Sequence, residues 1–379
     1  SALIAGGVVG ILAIVDVVTF IRKSDGKKLL YLSKDGILFG LIAIVVLTIT
    51  QQYMWIDWNN FLNSMKEQTR MRIDPWTFPY TRQYVGTLPY IYHLEQLIRW
   101  GYGWWPGILG IASMGYLFWK KSTDRFWQTL LIFIVIYFGF FGMFAVKFMR
   151  YLQPLYPLIG LGIGGFLSEI DKKVKDKLII KTLMVSVIGW QSVWAVAFLD
   201  IYNYLPTRVS SSQWISENLR WGSIIAIEHW DDGIPVPPYI QGFQQESLPL
   251  YDLRPIPGDI NNELEDQNDQ YPYKWVDIAE KLEKSDAVVI ASNRLYAPLM
   301  RLDKNYPIAK RYYEKLFSGE LGFRLAHTSW VRPGIGPWRI DDQMADESFH
   351  VYDHPKVMVF VKESKYTKEQ LFGIIWNDD

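Results

Sequence analysis

Six long apolar runs within the first 199 residues constrain this chain more than any other feature of its sequence. They cover residues 2–21, 36–50, 104–119, 126–146, 151–167 and 178–199, and the second can be extended with residues 29–32. A membrane-spanning helix needs about 20 mostly apolar residues to cross about 30 Å of hydrocarbon. As helices of a soluble core, these runs would present almost no polar face to water. The sequence therefore predicts a multi-pass α-helical membrane bundle with about six transmembrane helices.

The chain has no net charge overall, but its two halves carry opposite charges. Residues 1–198 contain 20 basic and 11 acidic side chains, whereas residues 199–379 contain 19 and 28. Most basic residues of the first half lie in the connections after the first, third and fifth runs, and short basic connections favour the cytoplasmic side. We therefore expect an integral, multi-pass plasma-membrane protein whose acidic C-terminal half is extracytoplasmic. The absence of cysteine excludes a disulfide framework.

The second half of the sequence has shorter, alternating patterns. Strand-length, β-branched runs occur at residues 223–230, 286–292, 323–329 and 357–362, and amphipathic helical patterns occur at 210–219, 273–285 and 307–318. Alternating strands and helices favour an α/β sheet with some parallel pairing. Residues 233–270 are rich in Pro, Gly, Asn and Asp and predict a long loop. The chain thus divides into a transmembrane region, 1–199, with an outer loop at 51–103, and a small extracytoplasmic α/β domain, 200–379.

The sequence KFMRYLQPLYP, residues 147–157, is the strongest candidate for a functional site. Lys147 and Arg150 lie in a short outer connection between two predicted spans, where basic residues are disfavoured. Cations flanked by Tyr151 and Tyr156 suit an anionic group at the membrane interface, such as a lipid phosphate. The alternative is that both cations are ordinary interface anchors in an aromatic belt. The residues alone leave these two interpretations equal.

The outer loop 51–103 combines many Trp and Tyr residues with four arginines. Residues 58–72 can form a helix in the membrane interface, with Phe61, Leu62 and Met65 towards lipid. Aromatic faces beside arginine also suit sugar rings and phosphates. Interface anchoring is the more common use of such a segment.

A polar cluster follows the first predicted strand of the second half and consists of Glu228, His229, Asp231 and Asp232. Ligands of α/β proteins bind at the ends of strands, and carboxylates beside an imidazole can transfer protons or hold a cation. The spacing matches no specific metal pattern, and Asp-Asp-Gly is also an ordinary turn. No metal site is therefore predicted, and a divalent metal is possible but unsupported.

The order of these segments resembles one family. Residues 147–157 resemble the Arg-Tyr-x-x-Pro-x-x-Pro signature of GT-C membrane glycosyltransferases that use polyprenyl-phosphate sugars. Among these enzymes, the bacterial and archaeal relatives of protein O-mannosyltransferases and aminoarabinose-lipid transferases are the most similar. Residues 80–107 resemble their outer loop, and residues 228–235, 291–302, 311–323 and 346–360 resemble their extracytoplasmic domain. The resemblance implies transfer of a sugar from a lipid-linked donor to an acceptor hydroxyl at the outer membrane face.

The resemblance also assigns roles to individual residues. By position, three residues would contact the donor phosphate: Lys147, Arg150 and Tyr151. Weaker outer-loop contacts with substrate would come from Tyr80, Arg82 and Gln83. Family members have more spans and carry their catalytic acid in a first outer loop, so the resemblance implies that this chain is the C-terminal portion of a longer enzyme. Its catalytic residue is then unknown, with three weak candidates: Glu228, Asp231 and Asp232.

The expected partners follow from this reaction. They are membrane lipid, the polyprenyl-phosphate sugar, and an acceptor that is a protein, a lipid or a glycan. No cofactor other than the lipid-linked donor is certain, and no nucleic-acid partner is expected. The rival interpretation is a non-catalytic, membrane-anchored binding or assembly protein with an acidic extracytoplasmic domain.

Overall fold

Two units make up the chain in the computed structural model, which describes residues 26–120, 124–251 and 269–377. Within these residues, the first unit runs to Thr77 and from Tyr84 to Gln191. The second unit contains the segment Phe78–Gln83 and the residues from Ser192 onward. The division therefore falls inside a helix, eight residues before the sequence-based boundary at residue 199.

The described part of the first unit consists of helices joined by turns and short irregular segments, with no strand. Two of its helices begin at an aspartate that caps free backbone N–H groups, Asp57 before α3 and Asp124 before α6. The last helix, α8, begins in this unit and ends in the second. The helices are α1 Gly26–Thr50, α2 Gln52–Ile56, α3 Trp58–Ile73, α4 Ile91–Gln96, α5 Trp104–Lys120, α6 Arg125–Gly142, α7 Leu155–Asp171 and α8 Lys177–Leu199, with a π-helical turn at Leu97–Gly101 and a 3-10 turn at Met149–Leu152.

Glycines allow α5 and α7 to pack closely against each other. A Cβ atom on Gly110 would lie 2.6 Å from Cγ2 of Ile159, and one on Gly162 would overlap the side chain of Met114. Leu109 of α5 and Ile163 of α7 share a buried cluster at this contact. Each of these two apolar helices therefore buries one face, and others of their apolar side chains, such as Ile108 and Leu161, are exposed.

The predicted six-span bundle is wrong. Among the described residues, only Arg125–Gly142 and the helical stretch Lys177–Asn218 are long and apolar enough to cross a membrane. The run at 2–21 lies outside the described residues. Helices α5 and α7 have only 17 residues each. The run 151–167 begins in a 3-10 turn, and α7 therefore starts only at Leu155. The apolar part of α1 that meets the same hydropathy test is the short segment Gly40–Thr50.

A mixed five-stranded sheet forms the centre of the second unit, in the order β2-β1-β3-β7-β4. Strand β1 pairs in parallel with β2 and β3, whereas β7 runs antiparallel to β3 and β4. The strands are β1 Ile224–Glu228, β2 Gln244–Leu248, β3 Ala287–Ile290, β4 Phe323–Ser329, β5 Gly334–Ile335, β6 Trp338–Arg339 and β7 Val357–Lys362. The helices are α9 Thr207–Asn218, α10 Pro272–Lys284, α11 Tyr296–Arg301, α12 Pro307–Ser318, α13 Glu347–His350 and α14 Lys368–Trp376.

All four predicted strands are present, and so are the three predicted helices. The predicted loop 233–270 is wrong in one part, since it contains β2, and its residues 252–268 lie outside the described residues. Strand β2 has the sequence QQESL and is half-exposed at the edge of the sheet. Its polar composition hid it, because an edge strand needs fewer apolar residues than a central one.

The strand register brings the ends of several strands to one edge of the sheet. Ile227 of β1 pairs with Val289 of β3, Ile290 pairs with Met358 of β7, and Val357 pairs with Ser329 of β4. The ends of β1, β3 and β4 therefore lie together with the start of β7, and we call this side the carboxyl edge. Between β1 and β3 the strand order changes direction, which is where ligands of open α/β sheets commonly bind.

Candidate functional site

The KFMRY segment lies between α6 and α7, in the first unit. Helix α6 ends at Gly142, and the chain passes through a short irregular segment into the 3-10 turn Met149–Leu152. The backbone N–H of Val146 donates to the carbonyl of Arg72, at a distance of 3.2 Å, so this segment lies against the end of α3. Tyr137 of α6 donates its hydroxyl to the carbonyl of Tyr151 at 2.8 Å.

Aromatic rings of this segment lie beside two arginines, Arg72 near the end of α3 and Arg150 in the 3-10 turn. The guanidinium of Arg72 lies 5.9 Å from the ring centre of Phe144 and 5.8 Å from that of Tyr151. The guanidinium of Arg150 lies 4.2 Å from the ring centre of Phe148 and 6.0 Å from that of Tyr151. With Lys147, these two arginines form what we call the basic cluster: Arg72, Lys147 and Arg150.

Lys147 is the most enclosed member of the basic cluster. Its side chain is almost fully buried, and its Nζ donates to the carbonyl of Ala145 at 2.8 Å. Burial lowers the pKa of Lys147 to about 8. Among the described residues, no carboxylate lies within 4.0 Å of the charged atoms of Arg72, Lys147 or Arg150. These three cations therefore have no carboxylate partner in the part of the chain that the structure describes.

His93, in α4, is fully buried near Lys147. Burial and the neighbouring charge of Lys147 lower the pKa of His93 to about 4, so the ring is neutral at pH 7. Neither ring nitrogen has a hydrogen-bond partner among the described residues. A neutral imidazole can donate one hydrogen bond and accept another, so it can serve a polar ligand without adding charge.

Three carboxylates of the predicted polar cluster lie at the carboxyl edge of the sheet in the second unit. We call them the acidic cluster: Glu228, Asp231 and Asp232. Glu228 is buried, and the hydroxyl of Tyr313 donates to its Oε1 at 2.5 Å, whereas Oε2 has no partner among the described residues. Burial raises the pKa of Glu228 well above its usual value. The side chain is thus a buried acid enclosed by tyrosines and cannot meet a large substrate.

Asp231 and Asp232 have different surroundings although they are neighbours in sequence. The side chain of Asp231 is 1% exposed, accepts a hydrogen bond from Ser292, and lies 3.8 Å from Arg208 and 3.9 Å from Arg294. The side chain of Asp232 is 62% exposed and forms an ion pair with Arg208 at 2.7 Å. Asp231 is therefore part of the interior, and Asp232 faces solvent.

A second carboxylate shares Arg294 with Asp231. The Nε of Arg294 donates to Glu347 at 2.7 Å, and the amide of Gln83 donates to the other oxygen of Glu347 at 3.0 Å. Burial raises the pKa of Glu347 to about 7, although Arg294 opposes this shift. We call these ion-paired residues the paired network: Arg208, Asp231, Arg294 and Glu347.

The predicted outer-loop contacts belong to the second unit. Arg82 is buried, donates to the carbonyl of Tyr251 at 2.7 Å, and also donates to the hydroxyl of Tyr306. Gln83 donates to the carbonyl of Tyr80 at 3.2 Å as well as to Glu347. The structure therefore places Tyr80, Arg82 and Gln83 with the α/β sheet and not in the unit that holds Lys147.

His229 contacts a separate cavity of about 410 Å³ at the ends of β1 and β2. Lys281 lines it, but its Nζ is already paired with Asp277 at 2.8 Å and donates to the carbonyl of Ser247 at 3.0 Å. The polar groups of its wall are thus largely occupied by one another. The cavity is lined by His229, Ser247, Pro249, Tyr273, Lys274, Asp277 and Lys281.

The sequence pattern did not identify several residues that lie near the basic cluster or the paired network. Arg72 and His93 lie far from Lys147 in sequence, and only the chain path around α3 and α4 brings them near it. Ser292 and Arg294 could have been found, since they follow β3 just as Asp231 follows β1 and strand ends of parallel neighbours share an edge. Glu347 comes from a four-residue helix that no periodicity reveals.

In the described ranges, no group of three or more His, Asp or Glu side chains is placed to hold a metal ion. Comparison with protein-family models, with curated proteins and with solved structures finds no match to this chain.

Proposed function

We propose that this chain is part of a membrane glycosyltransferase that takes a sugar from a polyprenyl-phosphate donor and passes it to an acceptor hydroxyl outside the cytoplasm. In this proposal Lys147, Arg150 and Tyr151 bind the donor phosphate, with Arg72 as a further cation. The α/β unit is extracytoplasmic and faces the acceptor, which is a protein, a lipid or a glycan. The single observation that carries the proposal is the basic cluster without a carboxylate partner.

Placement in a membrane is supported by the exposure of the apolar helices. Only 11% of the most apolar window in Lys177–Asn218 and 28% of that in Arg125–Gly142 are buried inside the protein. A core helix of a water-soluble protein would have most of such a window buried. Lipid is the solvent that these exposed apolar surfaces fit.

The charge of the basic cluster fits the leaving group of the reaction. When the sugar leaves a polyprenyl phosphate, negative charge develops on the phosphate, and fixed cations in a water-poor site stabilise it. Arginine donates in a fork that matches phosphate oxygens, and the aromatic rings of Phe148 and Tyr151 hold the guanidinium of Arg150 at the surface. Lys147 adds a charge that is poorly screened because it is buried.

A second candidate function is binding without catalysis. Two of the three candidate catalytic carboxylates, Glu228 and Asp231, are buried in hydrogen bonds and ion pairs, and only Asp232 is exposed. A catalytic base must reach the acceptor hydroxyl, either directly or through one water molecule. The burial of Glu228 and Asp231 favours a membrane-anchored protein that binds the donor or assists assembly without acting as the catalytic base.

Donor binding by the full chain in lipid nanodiscs tests the first step. The probe is a short-chain polyprenyl-phosphate mannose with a fluorescent tail, and the variants are Lys147→Met and Arg150→Ala. Each variant removes a cation that contributes about 1.5–3 kcal/mol to a charge-assisted interaction, so we expect affinity to fall about tenfold to a hundredfold. Unfolding of Lys147→Met should need at least as much denaturant as the parent, because a buried unpaired charge is removed.

Lys172→Ala is the matched control, since this exposed cation of the first unit pairs with Glu169 at 2.8 Å. Its affinity for the donor should equal that of the parent. Equal affinity of Lys147→Met and Arg150→Ala to the parent would contradict the phosphate site. Sugar transfer in the same nanodiscs separates the two candidate functions, since a binding protein retains the donor without transferring its sugar.

A further inference from the structure

A small hairpin of the second unit ends in an exposed apolar tip. Strands β5 and β6 pair Ile335 directly opposite Trp338, and Gly336 and Pro337 form the two-residue turn between them. The side chains of Ile335 and Trp338 are 41% and 47% exposed. Paired strand residues point to the same face, so two large apolar groups stand together in an exposed position. The turn itself is apolar and exposed as well.

Arg339 fixes this hairpin to the end of helix α8. Its guanidinium donates to the carboxylate of Asp200 and to the hydroxyl of Tyr204, the latter at 2.6 Å. The same group lies 5.4 Å from the ring centre of Tyr204. Both partners follow Leu199, the last residue of α8, within five residues. The hairpin therefore stays close to the point where the apolar helix ends.

The end of α8 is packed on the second unit by its aromatic residues. Phe198 lies 5.2 Å from Phe349 between ring centres, and the hydroxyl of Tyr202 donates to Asp353 at 3.0 Å. On the other side, Val196 and Leu199 are exposed. In a membrane protein, the last turn of a spanning helix and the tyrosines after it mark the depth of the lipid head groups.

Two cations without acidic partners among the described residues lie near the hairpin in sequence or in the sheet: Arg332 is in the irregular segment between β4 and β5, and Lys356 directly precedes β7. Arg332 and Lys356 stand over the indole of Trp330, at 4.5 Å and 4.8 Å from its centre. No carboxylate pairs with either cation among the described residues. Positive charge beside an apolar tip is complementary to anionic lipid head groups above hydrocarbon.

From these contacts we infer that the hairpin, residues 334–339, inserts its Ile335–Trp338 tip into the outer surface of an anionic bilayer beside the end of α8. The inference rests on the membrane placement proposed above. It has a consequence for the α/β unit, because the hairpin leaves from the end of β4. The carboxyl edge of the sheet, with the paired network, is thereby held towards the membrane surface.

The absence of cysteine allows a direct test in the full chain. Nitroxide labels are attached to Ile335→Cys, Trp338→Cys and Val196→Cys after reconstitution into vesicles of phosphatidylcholine and phosphatidylglycerol. Collision rates with oxygen, which concentrates in lipid, are compared with those of a water-soluble nickel chelate. The label at 196 reports whether α8 lies in the bilayer. We expect all three labels to collide more often with oxygen than with the chelate.

Trp221→Cys and Lys365→Cys are the matched controls. Both residues are exposed and lie at the opposite end of the sheet from the hairpin, about 15–20 Å away along the strands. Labels there should favour the chelate. If the label at 196 favours oxygen while those at 335 and 338 match the controls, the hairpin inference is wrong and the membrane placement remains. If the label at 196 also favours the chelate, the membrane placement is wrong and the hairpin inference fails with it.

Discussion

The basic cluster of the first unit and the paired network of the second unit differ in whether a buried charge has a partner of opposite charge. In the paired network, Arg294 lies 2.7 Å from Glu347 and 3.9 Å from Asp231, so each buried charge has a partner. In the basic cluster, Lys147 is equally enclosed, but among the described residues it has only a backbone carbonyl for its ammonium group.

In the proposed function, this difference distinguishes charges that stabilise the fold from charges that bind a ligand. A buried ion pair is maintained because loss of either partner leaves an uncompensated charge in the interior. A buried cation without a partner costs stability in every state except one in which an anion is bound. Under the proposed function, the paired network stabilises the fold and the basic cluster binds the donor, and three predictions can contradict this comparison.

The largest effect is expected when the paired network is broken. Arg294→Ala leaves Asp231 and Glu347 buried without their shared cation, which should lower the free energy of unfolding by about 3–5 kcal/mol. Denaturant unfolding of the full chain, followed by tryptophan fluorescence, measures this loss. The loss should be smaller at pH 5 than at pH 8, because protonation of the two carboxyl groups removes the uncompensated charge.

The ion pair between Arg324 and Glu363 is the appropriate control. Both side chains are more than half exposed, and such pairs contribute about 0–1 kcal/mol. Arg324→Ala should therefore unfold close to the parent. If Arg294→Ala also unfolds close to the parent at pH 8, the paired network does not hold the fold and the comparison is wrong.

An effect of about fivefold on donor binding is expected from a rise in pH. Burial lowers the pKa of Lys147 from about 10.5 to about 8, so the free protein loses this charge as the pH rises through 8. A phosphodiester keeps one negative charge over this range. Because the protonated fraction of Lys147 falls about fivefold from pH 8 to pH 9, the affinity should fall about fivefold, or about 1 kcal/mol. In Lys147→Arg the guanidinium stays protonated, and the decline should be absent. A decline of the same size in Lys147→Arg would mean that another group titrates.

The contrast between the two regions also explains how far the sequence could predict the structure. Strands β4 and β7 have the predicted bounds. For β7 the reason is local, because VMVFVK is a short run of β-branched and other apolar residues whose first four positions are buried. The six-span bundle was wrong because an apolar run does not show where a helix begins and ends. The run 151–167 begins in a 3-10 turn, and α5 and α7 have only 17 residues each.

The candidate sites were predictable to a similar, partial degree. Lys147 and Arg150 stood out because their position opposed the charge distribution of the other connections. Asp231 and Asp232 were correctly placed at a strand end, but a sequence cannot state which of two adjacent carboxylates is buried. That depends on the direction of the chain after Glu228, where Trp230 adopts a positive φ of 72° and Asp231 is buried while Asp232 is exposed. Partners such as Glu347 were invisible because they come from distant segments.

The smallest effect is expected at Asp232, the exposed member of the acidic cluster. Its only ion pair among the described residues is with Arg208, and its side chain is 62% exposed, so Asp232→Ala should cost less than about 1 kcal/mol of unfolding free energy. Asp231→Ala, one residue away, should cost clearly more, because it leaves Arg208 and Arg294 short of a buried partner. Sugar transfer in nanodiscs is measured on the same samples. If Asp232→Ala unfolds like the parent but no longer transfers sugar, this carboxylate is a catalytic acid or base. The acidic cluster would then contain both a structural carboxylate, Asp231, and a functional one, Asp232.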